Sequence, residues 1–218
     1  MSGVTLAGSQ SLSTLTGSNI IAKVRENLNE LVADFWNDVG LMYWMNEGIQ
    51  DIVTKTLCNG TSEEVTLAAE TLEYPLLNTY TTVIAATYNN AKGLIRSDPR
   101  SIGNVNPVGE PVYFYEWDGS ISLFPILAAG SAAIGKLVKV LQVSFPSEIV
   151  ETDTVPLPNH FIVPLIHYVT AQAHYKEGTP VEDSRGDRRL SNYFASIKAY
   201  RQDFGDKGRD EASEIGDA

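Results

Sequence analysis

The apolar residues of this chain change their period twice. Ile21, Val24, Leu28, Leu31, Val32 and Phe35, and then Leu41, Trp44, Met45, Ile49, Ile52 and Val53, recur at steps of three and four. After Asn59-Gly60 the pattern becomes alternation of period two, and from Phe161 the helical steps return. Steps of three and four place side chains on one face of a helix, whereas alternation places them on one face of a strand. The chain is therefore predicted to be α+β and mainly helical. Two helical hairpins form a split antiparallel bundle, with an antiparallel β module inserted between them.

The predicted divisions are an N-terminal arm at 1–18, bundle segments at 19–58 and 156–204, a β module at 63–147, and an acidic tail at 205–218. Ser18 or Asn19 is predicted to cap the first helix, whose outward face carries Lys23, Arg25, Glu26, Asn29 and Glu30. The second helix starts at Asn37, a capping residue, with Asp38 in its first turn and Trp36 and Leu41 placed as a hydrophobic staple. Thr179-Pro180-Val181-Glu182 is a capping box with proline at the first helical position. Pro164 fits a helix only near its start. The predicted core comprises Trp36, Leu41, Trp44, Met45, Ile49, Tyr168, Phe194 and Ile197. In PVYFYEWDGSISLFP two alternating runs flank Asp118-Gly119, a pair that accepts the positive φ angles of a tight hairpin. Both end arms, rich in small or charged residues, are predicted to be flexible.

Composition narrows the function. A net charge of −11 argues against binding DNA through its phosphates, which takes clustered Lys and Arg, but suits a surface past which DNA slides. One cysteine allows no internal disulfide, and no stretch is long and apolar enough to span a bilayer, so a soluble protein of a reducing compartment is expected. His160, His167 and His174 are seven apart, about 10 Å between neighbours at 1.5 Å per residue, too far to share one metal ion. Cys58 has no histidine near it in sequence to activate a thiolate. The glycines, Gly103, Gly109 and Gly119 among them, do not open a helix after a strand as phosphate loops do. Glu110, Glu116 and Asp118 read as solvated turn formers. Arg185, Arg188, Arg189 and Arg201, interleaved with Asp183, Asp187 and Asp203, read as a salt-bridged outer face. No catalytic, cofactor-binding or metal site is expected.

Several segments, in order, resemble the head-tail connector (adaptor) proteins of tailed bacteriophages. FWNDVGLMYWMNEGIQDIVTKT resembles that family's helix of Trp, polar cap, Asp, then Leu-x-x-Trp-Ile-Asn-Glu type, with Leu41, Trp44, Met45, Asn46 and Glu47 in those places. PVYFYEWDGSISLFP resembles its aromatic hairpin, and VPLPNHFIVPLIHYVTAQAHYKEG its Leu-Pro-led helix. Gly40 departs from the family's frequent Glu and leaves the capping box there incomplete. The resemblance spans roughly residues 20–204.

It implies a virion structural protein, assembled in the host cytoplasm, forming a twelve-subunit ring between the portal and a tail or nozzle protein. DNA passes through the channel without sequence-specific binding, and no membrane or cofactor is involved. The implied partner contacts are Tyr113, Tyr115, Trp117, Asp118 and Gly119 in the hairpin and Phe204, Asp206 and Arg209 near the C-terminal arm. A head-completion stopper, a tail terminator, or an enzyme or small-ligand protein on a split bundle are the other readings.

Overall fold

The structure, a computed structural model, describes residues 12–30, 35–76, 82–98, 100 and 108–214, with side chains as far as residue 201. The fold is α+β, with four α-helices and two sheets among the described residues. The chain divides into two compact units: Met1–Cys58 with Pro146–Ala218, and Asn59–Phe145.

The first unit is helical. Helix α1, Gly17–Leu28, is capped by Thr16, whose hydroxyl accepts from Asn19 N–H while Asn19 Oδ1 accepts from Thr16 N–H. Asn19 thus serves from the third helical position rather than as the cap, and Ser18 lies inside the helix. The residues just before α1 are not a free arm. Ser13 N–H donates to Leu157 O at 2.9 Å, Val155 N–H to Leu15 O at 2.9 Å and Gly17 N–H to Asp153 O at 3.0 Å. Residues 151–158 of the same chain supply the hydrogen-bonding surface that such an arm needs to order. Residues 1–11 lie outside the described residues.

Asn29, in the left-handed region at φ 54°, ends α1. The predicted stripe therefore stops at Leu28: Phe35 lies beyond the helix and is exposed, and Leu31 and Val32 lie outside the described residues. Helix α2, Asp38–Thr56, starts where Asn37 Oδ1 accepts from Gly40 N–H at 2.7 Å. Arg25, predicted to face outward, is buried instead. Its guanidinium donates to Trp36 O at 2.7 Å and to Asp38 Oδ1 at 2.5 Å, and Glu30 accepts from the Phe35 and Trp36 N–H groups. Phe35 and Trp36 lie outside both helices, and an inward arginine and glutamate satisfy peptide groups there that have no helical partner.

A 3-10 turn, Asn159–Phe161, leads into α3, Ile162–Glu177, which ends at Gly178 with φ 67°. Pro164 is its third residue, in the first turn, where an N–H has no intrahelical acceptor to lose. Helix α3 packs against α1, α2 and the following helix α4, Pro180–Glu214. It therefore buries residues on more than one side, among them Leu165, Ile166, Val169, Ala171, Ala173 and His174. A Cβ on Gly48 would stand 2.8 Å from Leu165 Cδ1 and 2.8 Å from Tyr168 Cδ1, so α2 lies as near α3 as a glycine allows. Helices α3 and α4 run antiparallel, pairing Tyr175 with Asp187, Tyr168 with Tyr193 and His160 with Tyr200. Helix α4 continues past Gly205, where a break was predicted. Gly205 and Gly208 each cost the helix about 1 kcal/mol, and good helix formers such as Lys207, Arg209, Glu211 and Ala212 stand beside them.

Among its described residues the second unit holds eight strands: β1 Gly60–Thr66, β2 Glu73–Pro75, β3 Thr82–Tyr88, β4 Lys92–Gly93, β5 Ile95–Arg96, β6 Tyr113–Trp117, β7 Ser120–Phe124 and β8 Leu137–Val143. One sheet has the order β1-β8-β3-β4 and the other β2-β7-β6-β5. Residues of both sheets, including Val83, Tyr88, Phe114, Ile121, Leu123, Val138 and Val140, bury one apolar cluster. The β6–β7 hairpin turns through Asp118 (φ 43°) and Gly119 (φ 76°), the paired positive angles that a two-residue loop of this kind requires. The module is mixed rather than wholly antiparallel, because β5 runs parallel to β6 through Ile95–Tyr113 and Arg96–Phe114. The connection from 97 to 112 is long enough for the crossover that a parallel pair needs.

Candidate functional site and interaction surfaces

The three histidines of α3 and the turn before it each meet a different part of α4. His160 stacks on Tyr200 with ring centroids 5.1 Å apart, His167 Nδ1 lies 3.4 Å from Arg189 Nη1, and His174 Nδ1 lies 2.6 Å from Glu182 Oε2. Burial pushes the His160 and His167 pKa values down, and Arg189 adds to the effect at His167. Among the described residues no group of three or more His, Cys, Asp or Glu side chains could hold a metal ion. Burial pushes the Cys58 thiol up, away from the reactive thiolate.

Glu182 is held by His174 and by Arg185 Nη1 at 2.6 Å, so only half of the predicted capping box forms: Thr179 Oγ1 accepts from Glu182 N–H, and the glutamate does not reach back. The expected arginine–aspartate face is rearranged as well. Asp187 accepts from Tyr175, whose pKa is pushed up to about 12 by burial and this bond, while Arg189 donates to Asn27 Oδ1. A cleft of about 580 Å³ opens here, lined by Asn27, Asn29, Trp36, His174, Arg185 and Arg188 among others. Its polar walls differ from the mostly apolar lining of small-molecule sites.

Of the predicted core, Trp36, Leu41, Met45, Ile49 and Ile197 are buried, whereas Trp44 and Tyr168 are half-buried and Phe194 is 47% exposed. Adjacent helix residues point about 100° apart, and on α4 the two neighbours Tyr193 and Phe194 part company, one buried and one exposed. Tyr193 takes the interior, and its hydroxyl donates to Asp51. Burial and that carboxylate push its pKa up. Trp44 sits at the margin of the buried face of α2, with Lys176 Nζ 5.9 Å from its ring.

Sequence reasoning missed the polar ties between distant segments. Trp36 Nε1–H donates to Ala173 O at 3.0 Å, and Asn46 exchanges two bonds with the Ile149 backbone. Arg25 carried a usable signal, since it stands four after Ile21 and three before Leu28, on the apolar stripe itself.

In the β6–β7 hairpin, alternation turns Phe114 inward, buried to 1%, and sets Tyr113, Tyr115 and Trp117 on the other face. Trp117 is 65% exposed beside the Asp118-Gly119 tip. Glu116 is not a solvated turn former: it accepts from Val83 N–H at 2.8 Å and pairs with Arg96 at 3.2 Å. Glu110 is solvated as expected, its side chain 53% exposed, and it also bonds Tyr88 and Lys136. The side chains of Phe204, Asp206 and Arg209, and residue Gly103, lie outside the described residues.

A family model described as SU10 adaptor protein matches residues 15–215. Among solved structures, a chain from the neck of a native GTA particle with C12 symmetry is 14% identical, with 87% of this chain and 92% of that chain covered, at a TM-score of 0.27. A chain from the neck of an empty GTA particle with C6 symmetry is 15% identical over 87% and 92%, at a TM-score of 0.29. Scores this low carry no structural argument. No curated protein matches.

Proposed function

This chain belongs to the SU10 adaptor protein family, and from that premise we propose that it is a virion structural protein of the head-tail connector. It joins the portal to the tail as one subunit of a twelve-membered adaptor ring that forms part of the DNA channel. The observation that carries the reading is the family match over residues 15–215, which takes in nearly all of both units.

Its chemistry is assembly. The helical unit acts as a split bundle of two hairpins, α1 with α2 and α3 with α4, and supplies the lateral contacts of the ring. The hairpin face of Tyr113, Tyr115 and Trp117, with Asp118 and Gly119 at its tip, meets the tail-side partner; aromatic side chains with an exposed polar edge suit such contacts. The C-terminal end of α4, with Phe204, Asp206 and Arg209, docks on the portal. A net charge of −11 suits a channel wall that repels the DNA backbone and lets it slide. No catalytic role is assigned, in keeping with the protonated Cys58 thiol and the three separate histidine environments.

The test is the mass of the purified protein with and without its portal. A portal-bound ring of twelve copies is expected. A protein that stays monomeric beside the portal, and binds a metabolite instead, contradicts the reading.

A further inference from the structure

Two exposed faces of the helical unit carry apolar side chains and opposite charge. On α2, Val39 is 79% and Tyr43 61% exposed, one turn apart, and Glu47 follows a turn later. Together with Glu148 they border a shallow depression of about 390 Å³, and no Lys or Arg lines it. Tyr43 is hydrogen-bonded to Glu47, and both Glu47 and Glu148 act on it electrostatically to raise its pKa. Asn46 and Gln50 also line it, and its only charged lining residues, Glu47 and Glu148, are acidic.

The second face is a groove of about 530 Å³ lined by Lys55, Phe194, Ile197, Lys198 and Arg201. Lys55 Nζ lies 5.1 Å from the Phe194 ring centroid. Neither Lys198 nor Arg201 pairs with a carboxylate among the described residues. Lys55 is paired with Asp51 at 2.5 Å, so in a chain with 16 Lys and Arg against 27 Asp and Glu the local reversal of sign at this groove comes from Lys198 and Arg201.

The faces do not coincide. Tyr43 and Lys55 are twelve residues apart on one helix, which at 3.6 residues per turn directs them about 120° apart. A twofold contact centred on either face would set acid on acid or cation on cation, whereas a head-to-tail contact sets opposite charges together and, repeated with a closing rotation, makes a ring.

We infer that the Val39, Tyr43, Glu47 and Glu148 face of one copy docks in the Phe194, Lys55, Lys198 and Arg201 groove of the next. The pairing rests on the ring reading given above and specifies which surfaces make it. Apolar contact gives the pairing its affinity, and the charges fix its direction and reject the twofold alternative.

The test uses the full chain with its portal, reading the mass of the assembly, with thermal unfolding of each variant alone as the folding control. The double variants Glu47→Lys with Glu148→Lys, and Lys198→Glu with Arg201→Glu, are each expected to raise the concentration for half-assembly about tenfold or more, because like charges then meet. Mixed in equal amounts they are expected to assemble again, since each reversed face meets a reversed groove and each unchanged face an unchanged groove. Should a reversal unfold the chain, Lys198→Gln with Arg201→Gln replaces it, with a smaller loss expected.

Rings that form undiminished from either variant alone overturn the pairing and leave the adaptor reading standing. Loss of assembly in each variant without recovery on mixing also overturns it, and assigns the faces to a different partner such as a tail protein. A wild-type chain that forms no ring on the portal overturns the adaptor reading and the pairing with it.

Discussion

In the β unit a residue's surroundings follow from its own strand: Phe114 faces in and Tyr115 out because they alternate, and the ladder of β6 with β7 holds both. In the helical unit, burial depends on partners far along the chain. Trp36 is fixed by Ala173, Asp51 by Tyr193, and Asn46 by Ile149. The reason is where each element satisfies its backbone. Strands spend peptide groups on neighbouring strands and so bring register with them, whereas helices satisfy theirs internally and must use side chains to fix how they meet. The difference predicts that polar side chains are worth more in the helical unit than in the β unit.

The largest effect is expected at the anchor of that arrangement. Trp36→Ala removes a buried ring and its bond to Ala173 O, and should cost on the order of 3–5 kcal/mol in denaturant unfolding. A sharper trial sets two arginines against each other. Arg25→Met strips the Trp36 carbonyl and Asp38 of a buried donor and should cost roughly 2–3 kcal/mol, reduced somewhat because Asp38 is partly exposed. Arg96→Met breaks an ion pair in which the arginine side chain is 54% exposed, together with a bond to Val83 O at 2.9 Å, and should cost about 1 kcal/mol. Equal losses would break the comparison.

Acid should also separate the units. His160 and His167 have folded pKa values below the ordinary 6.5, so the fold favours their neutral forms. That stability is present above 6.5 and is lost as pH falls through the lowered values. All three histidines lie in the helical unit. In the β unit Glu110, held below its ordinary 4.5 by Tyr88 and Lys136, gives up its contribution only at lower pH. Hydrogen exchange between pH 7 and pH 4 should show protection falling first in the helices, and loss in the strands first would contradict this. The smallest change expected is for Trp117→Ala, within about 0.5 kcal/mol of the parent in stability because the ring is mostly exposed, yet with weakened attachment to the tail-side partner.

The same contrast explains what the sequence made legible. The Asp118-Gly119 turn, the Asn37 cap and the Gly178 stop are local signals, and each stands where the residues require. Pro164 stands two residues after the start of α3, where a proline fits a helix. Contacts across long separations left no local trace: the inward turn of Arg25, the preference for Tyr193 over Phe194, and the parallel entry of β5 beside β6. A periodic stripe names the face of a helix but not which of two adjacent aromatics a distant carboxylate will bind. The exposed aromatics of the hairpin were legible because alternation separates the two faces of a strand without reference to anything else.

Hydroxyl-radical footprinting of the free chain and of the assembled particle bears most directly on the account, whose central claim is that the exposed aromatic and apolar side chains are reserved for partners. Tyr43, Phe194 and Trp117 are expected to react in the free chain and become protected in the particle, while Trp36 and Phe114 stay unreactive in both. Undiminished reactivity of Tyr43, Phe194 and Trp117 in the particle would contradict it.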